Sequence, residues 1–319
     1  MRKDVRIGVV GATGAVGTVT MELLRERGYE NVRAFASARS AGSRLGHLTV
    51  EEATPAALSA GELDVCFFSA GTSASRELVP HAQAGGALVV DKSSAYRLQE
   101  GVPLVVPEVN GDRALEHDGI VANPNCCAIP LSMTLKPLHD AARLTRVRVS
   151  TYQSMSGAGA GAMERLRTTQ PGDADLELKW DFDGVEFDEE AKLRAESRKI
   201  LELAHLPFGV TTVRVPVLVG HAEAVWVETQ EELTPEEARD VLGGAPGITL
   251  EDLPTPGQAA GRDDVLVGRI RRDPAAERGL ALFVVCDNLR KGAALNAIQI
   301  AELVLERGGV RDAAAPARA

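Results

Sequence analysis

The chain of 319 residues is poor in aromatic side chains, at 4%, and holds only 4 cysteines. No apolar run approaches the roughly 20 residues that a membrane-spanning helix needs. The opening MRKDVRIGVVGATG lacks the apolar core of a secretory signal. Two of the four cysteines, Cys126 and Cys127, are adjacent, which does not suit a disulfide framework. A reducing cytoplasm is therefore the expected setting. Neither a CxxC nor an HxxxH spacing offers a structural metal, so no metal is expected. Cationic residues are also short in number, 35 Lys and Arg against 45 Asp and Glu. The formal charge of −10 argues against a general binder of nucleic acid or of anionic membranes, while leaving room for a local cationic pocket. Glycine, at 31 residues, and alanine are plentiful, as suits close-packed α/β structure in one large or two ordinary domains.

The segment VRIGVVGATGAVG is a β-branched run that flows into glycines, and GTVTMELLRERGY continues as an amphipathic helix. A strand, a Gly-rich turn and a helix form the context in which such glycines bind phosphate. The spacing is Gly11-x-x-Gly14-x-x-Gly17. Glycine lets the backbone approach the phosphates, and the helix N–H groups point at them. The next strand ends in Ser37, Arg39 and Ser40, where an NAD enzyme usually carries an acidic residue for the ribose hydroxyls. A guanidinium and two hydroxyls suit a 2′-phosphate, hence NADP. Two further strands, in LDVCFFSAGTSASRELV and ALVVDKSSAY, break into small polar residues that include Ser69 and Gly71. The repeated strand–helix units indicate a mostly parallel, doubly wound sheet. The tail GGVRDAAAPARA reads as frayed.

The stretch VANPNCCAIP raises the question of a nucleophile. CAIPLSMTLKPLHDAA has helical character, and Pro130 is tolerated only in a first turn, so the helix starts close to the two cysteines. Both thiols then lie near a helix N-terminus, which favours a thiolate. Cys127, Leu131, Leu135 and Leu138 share one apolar stripe. Cys127 reads as core, and Cys126, off that stripe, as the nucleophile. Two inert small residues would be the plain alternative.

A thiol nucleophile needs polar groups around it. Gln153 closes a strand in STYQSMSGAGAGAMERL. TTVRVPVLVGHAEAVWVET carries Arg214 and His221, with Val213, Val215, Val217 and Val219 in strand alternation. An unbroken strand would point Arg214 and His221 to opposite faces, so a bend is expected near Gly220. In DEEAKLRAESRKILELA, Glu196 lies in the apolar line of Leu193, Ile200 and Leu203, and an inward carboxylate wants a cationic partner such as Arg214 or a substrate ammonium. Lys199 follows one turn on, and a surface pair between the two is the bland alternative. The other five histidines, His47, His81, His117, His139 and His205, read as incidental.

Together these segments resemble the aspartate-β-semialdehyde dehydrogenase family, almost from end to end. GATGAVG, ASARSAG, FFSAGTSAS, DKSSAYR, VPLVVPEVN, NPNC, TYQSMSGAG, VRVPVLVGHAEAV and DNLRKGAALNAIQIAE carry the resemblance in order. It implies a Rossmann-like doubly wound NADP-binding domain over residues 1–126, completed by a C-terminal helix at about 291–319, and an α+β catalytic and dimerisation domain over 127–290. It further implies NADPH-dependent reductive dephosphorylation of aspartyl-4-phosphate to aspartate semialdehyde and phosphate, in cytoplasmic biosynthesis of lysine and diaminopimelate, threonine, methionine and isoleucine. The assembly implied is a homodimer or a dimer of dimers, with no nucleic-acid or membrane partner.

Motif by motif, the resemblance makes Cys126 the nucleophile, Gln153 the residue that orients the acyl-enzyme and His221 the acid/base. Arg214 would grip the substrate carboxylate, Glu196 its amino group, and Arg97 and Lys199 the phosphate, with Asn125 beside them. Gly11, Thr13, Gly14, Ala15, Val16, Ser37, Arg39, Ser40, Ser69, Gly71, Ser156, Gly157 and Asn288 would form the cofactor site. Backbone N–H groups at the helix start would stabilise an oxyanion. The chain departs from the family in having Cys127 where Ser or Thr is usual, and in a short segment over 167–188. N-acetyl-glutamyl-phosphate reductase has the same chemistry, but generally Gly in place of Asn125 and no VRVPVLVGH layout. A non-catalytic NADP-binding paralogue would be expected to lack one of Cys126, Gln153, Arg214 and His221. An enzyme acting on a CoA thioester is compatible with the cations alone.

Overall fold

The computed structural model describes residues 4–168 and 180–308. Half of the 167–188 segment, residues 169–179, and the tail from residue 309 lie outside the described residues. The chain forms two compact units, one running to Pro124 and resuming at Ala293, the other spanning Asn125–Gly292. Among the described residues, no helix is long and apolar enough to cross a membrane.

In the first unit six parallel strands make one sheet: β1 (Ile7–Val10), β2 (Val32–Ala36), β5 (Glu51–Glu52), β6 (Val65–Phe68), β7 (Leu88–Asp91) and β8 (Ile120–Ala122). A small antiparallel hairpin, β3 (Arg44–Leu45) and β4 (Leu48–Thr49), stands beside them. The sheet order is β5-β2-β1-β6-β7-β8, with every pairing parallel. Setting the hairpin aside, this is the doubly wound order 3-2-1-4-5-6, whose switch point lies between β1 and β6. Both of those strands are fully buried four-residue apolar runs, as a sheet covered on two faces requires. The helix Leu295–Glu306 belongs to this unit and joins its core through Leu295, Ile298, Ile300 and Val304.

In the second unit the sheet is mixed: β9 (Leu144–Gln153), β10 (Phe208–Arg214), β11 (His221–Thr229), β12 (Ile248–Leu250), β13 (Val265–Arg272) and β14 (Gly279–Cys286). Their order is β10-β9-β11-β14-β13-β12. The helix Ala128–Ala142 packs on β9, β11 and β14, with the helices Asp188–Leu201 and Pro235–Gly243 alongside it.

Two expectations are corrected. The alternating valines do not make one long strand. β10 stops at Arg214 and β11 starts at His221, joined by a loop that ends at Gly220 with φ +101°. The buried positions near the end of β10 are Thr212 and Arg214, while Val213 is 41% exposed. The line through Glu196 also ends early, because Glu202 takes a left-handed conformation and closes the helix before Leu203.

Candidate active site

Topology gathers the site at one edge of the second sheet. β9 and β10 run parallel and end side by side, Gln153 opposite Arg214. β11 runs the other way between β9 and β14, so its first residue, His221, pairs with the last residue of β14, Cys286. Four strand ends therefore deliver Gln153, Arg214, His221 and Cys286 to the same edge.

Cys126 comes to this edge from the turn before the helix Ala128–Ala142. Cys127 is the N-cap, and Pro130 falls in the first turn, where its missing N–H leaves no gap. Asn125 closes the turn, its Oδ1 accepting from the Cys127 N–H at 2.8 Å. Cys127 is fully buried, and Cys126 is partly exposed. Burial, and next the neighbouring Cys126, push the Cys127 thiol well above its ordinary pKa, and burial does the same to Cys286. Neither is a ready thiolate. Helical phase alone would not have separated the cysteines, because this helix is buried on nearly every side through its first two turns.

Carboxylates hold the turn from the neighbouring helix Asp188–Leu201. Glu196 Oε2 accepts from the Asn125 N–H at 2.6 Å, and Glu189 Oε1 accepts from Asn125 Nδ2 at 2.8 Å. Glu189 also takes Gln153 Nε2 at 3.3 Å. The expected partner for Glu196 was a cation. Arg214 instead donates from Nη1 to the Ser154 carbonyl at 2.9 Å, and its guanidinium lies 4.7 Å from the Trp180 ring centre. Its buried Nε makes no hydrogen bond. Burial lowers the Arg214 pKa, opposed by Cys126, Glu189 and Cys127. A buried guanidinium with an unused donor suits an anionic ligand. Lys199 is half-buried, and burial lowers its pKa against the pull of Glu196. Two N–H groups of the turn, those of Asn125 and Cys127, are committed to side chains, so the expected oxyanion donors are fewer than the helix start suggested.

His221 is buried and fixed through one nitrogen. Its Nδ1 accepts from the Ser154 backbone N–H at 3.0 Å, with Ser154 Oγ also at 3.0 Å. Ser154 is held in turn by Asn288, whose Oδ1 accepts from Ser154 Oγ and from the Gly220 N–H at 3.0 Å each. Asn288 Nδ2 donates to Ser156 Oγ at 2.8 Å. Asn288 and Ser156, expected at the cofactor, thus spend these polar groups within the second unit. Gly157 lies against the pair Arg214 and His221: an added Cβ would be 3.0 Å from Arg214 Nη1 and 3.1 Å from His221 Nε2.

Donor atoms of Cys126, Cys127 and His221 all lie within 4.8 Å of one another, a spacing that a soft cation could contract around. A ligating histidine normally donates its second N–H outward. His221 does the reverse, accepting at Nδ1, so the trio is poorly prepared for a metal.

In the first unit the cofactor residues fit a dinucleotide. Gly11 has φ +81°, and a Cβ there would stand 2.6 Å from the Ser69 carbonyl oxygen across the switch point. Gly14 caps the helix Ala15–Glu26 with no side chain in the way, leaving Thr13, Ala15 and Val16 at its open N-terminus. The buried Ser69 Oγ has no hydrogen-bond partner, and Gly71 caps the next helix, Thr72–Ala84. Ser37 and Arg39 are exposed after β2, with Ser40 N–H bonded to the Ser37 carbonyl. Arg97 is held by main-chain carbonyls, Nε to Asn123 at 3.0 Å and Nη2 to Lys92 at 2.7 Å.

Residues 6–117 match the family model described as semialdehyde dehydrogenase, NAD binding domain. Residues 135–180 and 180–291 match semialdehyde dehydrogenase, dimerisation domain. Over 333 residues the chain is 46% identical to an aspartate-semialdehyde dehydrogenase of Streptomyces akiyoshiensis, covering 94% of this chain and 98% of that one. The chain belongs to the aspartate-semialdehyde dehydrogenase family. A crystal structure of aspartate semialdehyde dehydrogenase II from Vibrio cholerae, complexed with ASA, superposes with a TM-score of 0.88 at 36% identity, covering 95% of this chain and 98% of that one. The Candida albicans enzyme, solved with NADP, superposes at 0.78 with 25% identity, covering 96% and 99%. Within this family member, sequence reasoning missed Ser154, Glu189, Trp180 and Glu223. Glu223 is 1% exposed, and burial raises its pKa well above the usual carboxylate range, opposed by the neighbouring Cys127 thiol. Its position two residues after His221 on β11 was the available signal.

Proposed function

We propose that the chain catalyses the NADPH-dependent reductive dephosphorylation of aspartyl-4-phosphate to aspartate-4-semialdehyde, in biosynthesis of lysine and diaminopimelate, threonine, methionine and isoleucine. The observation that carries this reading is the convergence of Cys126, Gln153, Arg214 and His221 at one sheet edge in a chain of this family.

The Cys126 sulfur attacks the acyl phosphate carbonyl, and a thioester forms as phosphate leaves. Arg214, with its free Nε and buried charge, takes the substrate α-carboxylate. Glu196 takes the amino group. Gln153, tethered to Glu189, orients the acyl group without titrating. His221, held through Nδ1 by the Ser154 N–H, serves as the acid/base. Arg97 and Lys199 serve as the phosphate cations. Gly11, Thr13, Gly14, Ala15, Val16, Ser37, Arg39, Ser40, Ser69 and Gly71 would hold NADPH, which would supply the hydride that reduces the thioester. Collapse of the resulting thiohemiacetal returns Cys126 and releases the aldehyde. The family's dimerisation domain supports an oligomer, which we take to be a homodimer or a dimer of dimers in the cytoplasm.

The test is NADP reduction by purified, reduced protein given aspartate semialdehyde, with and without inorganic phosphate. Strong phosphate-dependent NADPH formation is expected. No turnover would overturn the reading, and turnover only with another semialdehyde would move it to a rival acyl phosphate.

A further inference from the structure

Two side chains of the second unit take no part in the reaction proposed above. One is Cys127, which stands where Ser or Thr is usual in the family. The other is Glu223, which is buried on β11 and leaves the same face of that strand as His221, two residues before it. The Cys127 thiol touches both the Glu223 carboxyl and the Cys126 sulfur. The two sulfurs lie within 4.8 Å of each other. Cys126 is partly exposed and Cys127 fully buried, so a reagent from solvent meets Cys126 first. Cys286 is placed differently, its Sγ lying 4.0 Å from the Cys126 carbonyl oxygen.

An accessible nucleophilic thiol is also the one that a hydroperoxide oxidises. The first product is a sulfenic acid. Left alone it goes on to the irreversible sulfinic acid, whereas beside a second thiol it condenses to a disulfide.

We infer that Cys127 is a resolving thiol for Cys126, with Glu223 as its proton acceptor, so that hydrogen peroxide converts the nucleophile to a reducible Cys126–Cys127 disulfide. This takes from the reaction proposed above only that Cys126 is the reactive thiol. The Cys126 thiolate attacks one peroxide oxygen, the O–O bond breaks, and the departing hydroxide is protonated by solvent. Glu223 then takes the Cys127 proton, and the Cys127 sulfur attacks the Cys126 sulfur. The S–O bond breaks, and the second hydroxide also leaves as water. Glu223 returns its proton to solvent. In sum two thiols are oxidised to one disulfide and one peroxide is reduced to two waters. A carboxylate kept this dry is a stronger base than one in water, which suits it to a buried thiol.

The disulfide would also switch the site off. Neighbouring Cα atoms are about 3.8 Å apart, closer than the roughly 4.4–6.8 Å usual between bridged cysteines. Closing the ring would therefore pull Cys127 from its cap position, where its N–H bonds to Asn125 Oδ1 at 2.8 Å. A bond under such strain is readily reduced by two equivalents of a small thiol, themselves left as a disulfide.

The test treats the whole protein with hydrogen peroxide. One portion is assayed before and after dithiothreitol, and the other is digested with trypsin for mass spectrometry. Cys126 and Cys127 share one tryptic peptide, and Cys286 lies on another. The shared peptide should become lighter by two hydrogens as activity falls, and both changes should reverse with dithiothreitol. Cys127→Ser, which brings in a residue usual in the family, should match the parent's turnover before peroxide. After peroxide its Cys126 should gain two oxygens, and dithiothreitol should recover no more than about one-tenth of its activity. Glu223→Gln keeps the shape without the base and should form the disulfide at least about tenfold more slowly, because a general base commonly contributes more than that. Oxygen gain in the parent without hydrogen loss, a cross-link to the Cys286 peptide, or full recovery in Cys127→Ser would each overturn the resolving role. Parental speed in Glu223→Gln would overturn the proton transfer. The parent's mass spectrum needs neither variant nor substrate, so it stands or fails apart from the acyl-phosphate reading.

Discussion

A methyl group at position 157 would sit 3.0 Å from Arg214 Nη1 and 3.1 Å from both Cε1 and Nε2 of His221. Gly157 is outside the left-handed region, so alanine brings no backbone strain there. The crowding falls on the two side chains proposed to hold the substrate carboxylate and to serve as the acid/base. Gly157→Ala should therefore lower kcat/KM by about 10- to 100-fold, since displacements of an ångström at a reacting centre cost that much. Its thermal midpoint should stay at the parent value. A matching fall in the midpoint would make Gly157 a packing residue only. At this scale the site was unevenly legible. Cys126, Gln153, Arg214 and His221 announce themselves by residue type beside a strand end or a helix start. Glu189 and Ser154 do not, because a glutamate on a charged helix and a serine in a turn look ordinary until folding sets them against Asn125, Gln153 and His221.

Among the elements, the Gly-rich turn separates two roles that one motif conceals. A Cβ on Gly17 would collide with the Gly11 carbonyl oxygen and lie 2.8 Å from Ala12 Cα. A Cβ on Gly14 would meet nothing nearer than that same carbonyl oxygen at 3.4 Å, an ordinary contact. Gly17 is thus required by the turn and helix themselves, whereas Gly14 leaves room for what binds there. Gly17→Ala should lower stability by about 1–3 kcal/mol, the usual cost of overpacking, and weaken NADP with it. Gly14→Ala should keep its thermal midpoint and raise the KM for NADP at least about tenfold, as expected where glycine lets a phosphate approach the backbone. Paired melting and kinetic measurements separate the two, and a midpoint loss in Gly14→Ala would refute the division. The β10–β11 region shows the limit of periodicity. Its valines alternate as a strand should, yet β10 is an edge strand with Val213 outward and Thr212 and Arg214 inward. The polar face is the inner one because the site lies there. The bend at Gly220 could be expected from the glycine, but its cause, close packing on Pro256, joins residues far apart in the chain.

For the whole molecule, the path of the chain decides which parts can fold alone. The first unit is left at Pro124 and re-entered at Ala293. Parallel strands joined by helices were readable from alternating apolar runs and glycines, and a returning helix was implied by family resemblance. How much the core depends on that helix was not readable, since it rests on packing against distant strands. Leu295, Ile298, Ile300 and Val304 are all buried in the core of the first unit. At about 1.5–3 kcal/mol for each buried side chain, the helix contributes roughly 6–12 kcal/mol, as much as a whole domain's net stability. Residues 1–124 expressed alone should therefore show no cooperative thermal unfolding. Asn296 Nδ2 lies 2.8 Å from Asn123 Oδ1 and 3.0 Å from the Val105 carbonyl, so the broken ends are neighbours. Joining residue 124 to 293–308 through a short Gly/Ser linker should restore a cooperative transition by calorimetry. A sharp transition in the 1–124 fragment would show that the strands hold without the helix, and failure of the linked chain would show that the second unit is needed as well.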